Sequence, residues 1–70
     1  MEIKPGKYRH FKGNLYEVIG MAHHSETMEP MVVYRALYGE GGLWVRPAAM
    51  WNETVDKNGY IGPRFRFVEE

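Results

Sequence analysis

The chain has 70 residues, 44% of them hydrophobic, and nine Lys and Arg balance nine Asp and Glu, which fits one small domain over residues 1–70 without the surplus charge of a strong phosphate binder. A domain of roughly 60 residues buries only about 60% of the surface that its unfolded chain exposes, so a deep catalytic cavity is not expected and function belongs on the surface. With no cysteine there is neither a disulfide framework nor a thiolate zinc site, and Met1-Glu2-Ile3-Lys4-Pro5 offers no apolar run for a signal peptide, so a cytoplasmic protein without a membrane partner is expected.

Tyr, Phe and Trp supply 5, 3 and 2 residues and Val, Ile and Thr add more, whereas Ala and Leu are few, a balance that suits pleated sheet better than helix. Lys7–Phe11 reads as a first strand, ended by the turn Lys12-Gly13-Asn14, and Leu15–His24 as a longer second one. Ser25–Pro30 is a polar loop before the clearest strand of the chain, Met31–Tyr38. Gly39-Glu40-Gly41-Gly42 supplies the residues that tolerate positive φ in a tight hairpin, after which Leu43-Trp44-Val45-Arg46 is the returning strand. Pro47-Ala48-Ala49-Met50 suits one helical turn with proline at its start, Trp51–Val55 is extended, and Asn58-Gly59 marks another turn. Arg64-Phe65-Arg66-Phe67-Val68 closes the chain with alternation that directs both phenylalanines inward and both arginines outward.

So few strands resolve their edges by curling, and the expected fold is all-β, a small antiparallel barrel of five or six short strands with at most one or two short helical turns. The sequence also resembles a bacterial family, domain of unknown function 1653. The likeness lies in Lys7-Tyr8-Arg9-His10-Phe11-Lys12-Gly13-Asn14, Tyr16-Glu17-Val18-Ile19-Gly20, His24-Ser25-Glu26-Thr27, Met31-Val32-Val33-Tyr34, Leu43-Trp44-Val45-Arg46-Pro47 and Pro63-Arg64-Phe65, and spans residues 6 to 68. It implies a Src-homology-3-like barrel and no assigned activity, so no functional residues carry over. Trp51 stands where such sequences more often have Phe, a conservative departure.

Three histidines, His10, His23 and His24, are the first place to look for chemistry, but neighbours in a strand point to opposite faces and no metal-ligand spacing accompanies them. No metal and no cofactor are expected. His24-Ser25-Glu26 superficially offers a base, a nucleophile and a carboxylate, yet hydrolytic relays draw their members from distant parts of a chain, and a turn capped by Ser25 and Thr27 is the plainer reading. Lys4, Lys7, Arg9 and Lys12 interleave with Tyr8 and Phe11 as in single-strand nucleic-acid binders. Against this, residues 1–35 carry five cations and four carboxylates, and residues 36–70 carry four and five.

The Gly-rich hairpin yields the sharpest constellation. If Gly39–Gly42 form the whole loop, Leu37 faces Trp44 and Arg35 faces Arg46, and a register that buries Tyr16 and Val18 puts Glu17 on the same side. Two opposed arginines call for something negative between them, either Glu17 as an internal brace or an anionic ligand stacked on Trp44. Trp44, Arg46, Arg35 and Glu17 are therefore the candidate ligand-binding residues, with His24 and Glu26 beside them, and no catalytic residue is assigned. The favoured function is a non-catalytic module that recognises a protein or small anionic ligand; single-strand nucleic-acid binding ranks second and a small hydrolase third.

Overall fold

The computed structural model describes residues 3–69. Seven strands run through it: β1 (Gly6–His10), β2 (Leu15–His23), β3 (Pro30–Ala36), β4 (Leu43–Pro47), β5 (Thr54–Lys57), β6 (Tyr60–Pro63) and β7 (Phe65–Glu69), with one short helix, α1 (Ala48–Trp51), between β4 and β5. The domain is all-β and antiparallel, as expected. β1 to β4 form a meander and β7 returns to pair with β1, giving the order β4-β3-β2-β1-β7, while β5 and β6 form a separate ribbon. Seven strands are one more than the upper expectation of six: the sequence predicts an extended stretch before the Asn58-Gly59 turn, but not β6 after it. Asn58 and Gly59 both take positive φ, 51° and 82°, which is what a two-residue turn between twisted strands requires.

Alternation builds the inner face. Tyr8 lies opposite Tyr16, Val18 opposite Tyr34, and Tyr16 opposite Ala36, so these side chains stack on one side of the sheet. A bulge between Val18 and Gly20 leaves Ile19 exposed and moves the inward position to Met21, opposite Val32. Trp51 fills the space under this face. It is among the most buried side chains, its ring lies flat on Phe65 at 3.7 Å and 3°, and it meets Tyr8 and Tyr34 edge-on. The extended stretch expected from Trp51 onward therefore begins only at Thr54, because Pro47, with φ −55° and ψ 135°, starts a turn that carries through Trp51.

The sheet is strongly rolled. In a flat sheet, edge strands four ladder spacings apart would be about 19 Å from each other. Here the guanidinium carbon of Arg46 on β4 lies 5.6 Å from the ring of Phe65 on β7, so side chains of the two edges meet over the core.

The hairpin register differs from the expected one. Arg35 lies opposite Leu43, Val33 opposite Val45 and Val32 opposite Arg46. The loop begins earlier: Gly41 N–H donates to the Tyr38 carbonyl at 3.2 Å, Gly39 and Gly41 have φ of 61° and 68°, and Ala36 N–H donates to the Gly42 carbonyl at 3.3 Å. Leu37 and Tyr38 thus belong to the turn. The slip is three residues, an odd number, so β4 presents its other face, and Arg35 and Arg46 project from opposite sides of the sheet.

The closing strand also departs from simple alternation. Phe65 is buried and Arg66 exposed, but Phe67, at the open end of an edge strand, remains 39% exposed. It packs edge-on against Tyr8 at 5.3 Å, with the Lys4 ammonium 4.6 Å from its ring. Arg64, expected to point freely outward, is instead partly buried and held by Glu53.

Candidate functional site

The six candidate residues separate into three places. Arg35 and Glu17 are cross-strand partners on the outer face, 3.6 Å apart, and Lys7 sits opposite Glu17 on its other side, so Glu17 is bracketed by cations within the sheet. Both members of the pair are half exposed, and such a bridge adds under about 1 kcal/mol. Opposed arginines do occur, but elsewhere: Arg9 faces Arg66 across β1 and β7, with both side chains exposed.

His24 and Glu26 lie in the loop between β2 and β3. The His24 Nδ1 accepts hydrogen bonds from the backbone N–H of Glu26 at 3.2 Å and of Thr27 at 3.4 Å, and Thr27 Oγ1 accepts from Glu29 N–H at 3.2 Å. The turn is capped by Thr27, as expected, but by His24 in place of Ser25. The Nδ1 lone pair of His24 is thus directed at the backbone of its own turn.

Trp44 and Arg46 remain together, on the inner side of β4, and there the fold adds His10 and Arg64, neither of them among the six candidate ligand-binding residues. His10 points inward from the end of β1, directly opposite Phe65, with ring centroids 5.0 Å apart. Its Nδ1 accepts a hydrogen bond from Lys12 N–H at 3.1 Å, which in the neutral ring leaves the proton on Nε2. Partial burial, followed by the charges of Arg64, Arg46 and Lys12, pushes its pKa below the ordinary histidine value. Arg64 enters from the residue before β7: its Nη2 donates to Glu53 Oε1 at 2.9 Å, and its backbone N–H donates to the Glu53 carbonyl at 2.9 Å. The Nε–H groups of Arg46 and of Arg64 are both buried without an acceptor among the described residues.

A tyrosine pair borders this cluster. Tyr16 and Tyr38 hydroxyls are 2.8 Å apart, and burial together with that bond pushes Tyr16 up to about 12. Beside Tyr38 a recess of about 280 Å³ runs along the hairpin loop to Trp44. A second, of about 450 Å³, lies against Val33, Leu43 and Val45 and again ends on Trp44, so the indole walls hollows on both sides of β4. Among the described residues no three His, Asp or Glu side chains gather in a way that would hold a metal ion.

The site is thus a set of hydrogen-bond donors and aromatic surfaces on a rolled antiparallel sheet, with one carboxylate, Glu53, bonded to Arg64. Residues 6–67 match the model of the family described as protein of unknown function DUF1653. A crystal structure of a DUF1653 protein from Bordetella bronchiseptica is similar to this chain at 43% sequence identity with a TM-score of 0.88, over 96% of this chain and 88% of that one. No curated protein matches. The chain belongs to the DUF1653 family.

Proposed function

We propose that this domain is a non-catalytic recognition module that binds an anionic group where Arg46, Arg64 and His10 converge. The observation that carries this reading is the pair of buried guanidinium Nε–H groups without acceptors among the described residues. A buried donor left unsatisfied costs about 1–3 kcal/mol, which an anion contacting both arginines would recover. His10 adds a third donor, because its Nδ1 is already occupied and its Nε2–H is left over. Donors outnumber the one carboxylate here, Glu53 on Arg64 Nη2, and with aromatic walls at Phe65 and Trp44 the site suits a carboxylate or phosphate held by the remaining guanidinium N–H groups.

Single-strand nucleic-acid binding is less well supported. Its stacking platforms would be Tyr8 and Phe11, but Tyr8 is buried on the inner face, and Phe11 is stacked on Tyr60 at 5.8 Å and 14°. A hydrolase centred on His24 and Glu26 is less well supported too, because the His24 Nδ1 faces the backbone N–H groups of Glu26 and Thr27.

The test is thermal unfolding with added inorganic phosphate or acetate. A ligand at 100 times its Kd stabilises the folded state by about 2.7 kcal/mol, so the melting temperature should climb with anion concentration. Arg46→Gln and Arg64→Gln should each suppress that rise, whereas Arg35→Gln, on the outer face, should leave it intact. An equal rise in all four proteins would refute the site.

A further inference from the structure

β4 is an edge strand of unusual character. Leu43, Trp44 and Val45 are 64%, 59% and 60% exposed, and the strand carries one charge, Arg46. Edge strands that stay unpaired are commonly protected by charge or by proline inside the strand. Here the proline is Pro47, at the far end.

The ladder fixes which backbone groups are free. Ala36 N–H bonds the Gly42 carbonyl, so in the alternating antiparallel pattern Gly42, Trp44 and Arg46 direct their backbone groups toward β3. Leu43 and Val45 direct theirs outward, and among the described residues no backbone partner takes them up. The two N–H and C=O sets are spaced about 6.8 Å apart, two strand residues, and only another strand meets both. On the outer side of this edge lies the hollow of Val33, Leu43 and Val45; on the inner side lie Trp44 and the guanidinium of Arg46.

We infer that β4 receives an extended peptide segment of a partner protein as an added strand, with apolar residues over Leu43 and Val45 and an acidic residue alternating onto Arg46. The inference deepens the proposed function by taking the anion to be a carboxylate side chain of that peptide. Charge complementarity selects the occupant. A second copy paired through β4 about a two-fold at Trp44 would set Arg46 opposite Gly42 of the other copy and leave its Nε–H without an acceptor. A peptide with alternating apolar and acidic residues satisfies the backbone edge, the hollow and the guanidinium together.

Amide hydrogen exchange read residue by residue tests this, with a synthetic peptide alternating valine and glutamate over the length of β4. In the free protein the Leu43 and Val45 amides should exchange rapidly and those of Trp44 and Arg46 slowly. With the peptide at about ten times its Kd, exchange at Leu43 and Val45 should slow about tenfold. A peptide of the same composition, with valines and glutamates in separate blocks, should not protect them. Val45→Pro removes an outward N–H and no ladder bond, and should abolish the effect without changing the circular dichroism spectrum; if that variant does not fold, Leu43→Lys with Val45→Lys serves instead. Arg46→Gln should weaken peptide binding.

Absent protection, protection by the blocked peptide, or protection that survives the edge variants overturns strand addition. So does protection that grows with protein concentration alone, which would assign the edge to a second copy. The phosphate experiment separates the two readings. A phosphate-induced rise in melting temperature without peptide protection defeats strand addition only. Peptide protection without that rise, and undiminished in Arg46→Gln, retains the added strand and removes the anion site.

Discussion

His10 shows how a single side chain acquires its character from its neighbours. It ends a strand, faces Phe65, accepts a backbone hydrogen bond at Nδ1 and lies near three cations, so its charged form is disfavoured in the folded protein. Its folded pKa is lowered from the ordinary 6.5, which means that below that value the unfolded chain takes up the proton first. Stability from this group is complete above pH 6.5 and is lost as pH falls through the folded pKa. Denaturant melts from neutral pH to about pH 5 should show that decline, and His10→Gln should flatten it. Trp51 supplies a second test at this scale. Its indole N–H is buried without an acceptor among the described residues, while its rings bind Phe65, Tyr8 and Tyr34 together. Trp51→Ala should cost about 3–5 kcal/mol through the cavity it leaves. Trp51→Phe should cost under about 1.5 kcal/mol, because losing the orphaned donor offsets part of the lost volume, and urea denaturation distinguishes the two.

Among the elements, the β3–β4 hairpin decides the most. Its loop needs Gly41 in the left-handed region, at φ 68°, and holds it there through the bond to the Tyr38 carbonyl. Gly41→Ala should therefore destabilise the domain by about 1–2 kcal/mol, measured by equilibrium denaturation, although nothing lies closer to the added Cβ than a backbone oxygen at 3.5 Å. The alternation of Leu43-Trp44-Val45-Arg46 is plain in the sequence, but which face turns inward is not. Both faces of that strand carry large apolar residues, so hydrophobic patterning barely separates one register from its neighbour. The loop conformation separates them, and with it the positions of Arg46 and Arg35.

For the whole molecule, rolling of the sheet makes β7 and β4 neighbours through their side chains, and Phe65 is the contact. It touches Trp51, His10, Tyr16 and Tyr34, and Arg46 lies over its ring. Phe65→Ala should cost about 3–5 kcal/mol, whereas Phe67→Ala, from a half-exposed ring at the rim, should cost clearly less; calorimetric melting of the two variants checks the order. Equal losses would mean that the two edges do not close over Phe65.

The sequence by itself determined the class of this protein: frequent Gly and Pro breaks, aromatic and β-branched runs, the Asn58-Gly59 turn and the inward Phe65 are local signals that short strands need and helices do not tolerate. It also put Glu17 on the face that carries Arg35, because burying Tyr16 and Val18 turns Glu17 outward, and the observed register then makes the two cross-strand partners. Tertiary structure alone decided that Ile19 is bulged out, that Arg35 and Arg46 part company, and that His10 and Arg64 join Arg46. Those outcomes depend on residues far apart in the chain. Backbone hydrogen bonds are nearly the same in any register, so the choice falls to the turn that closes the hairpin and to the packing of Trp51 and Phe65 beneath the sheet.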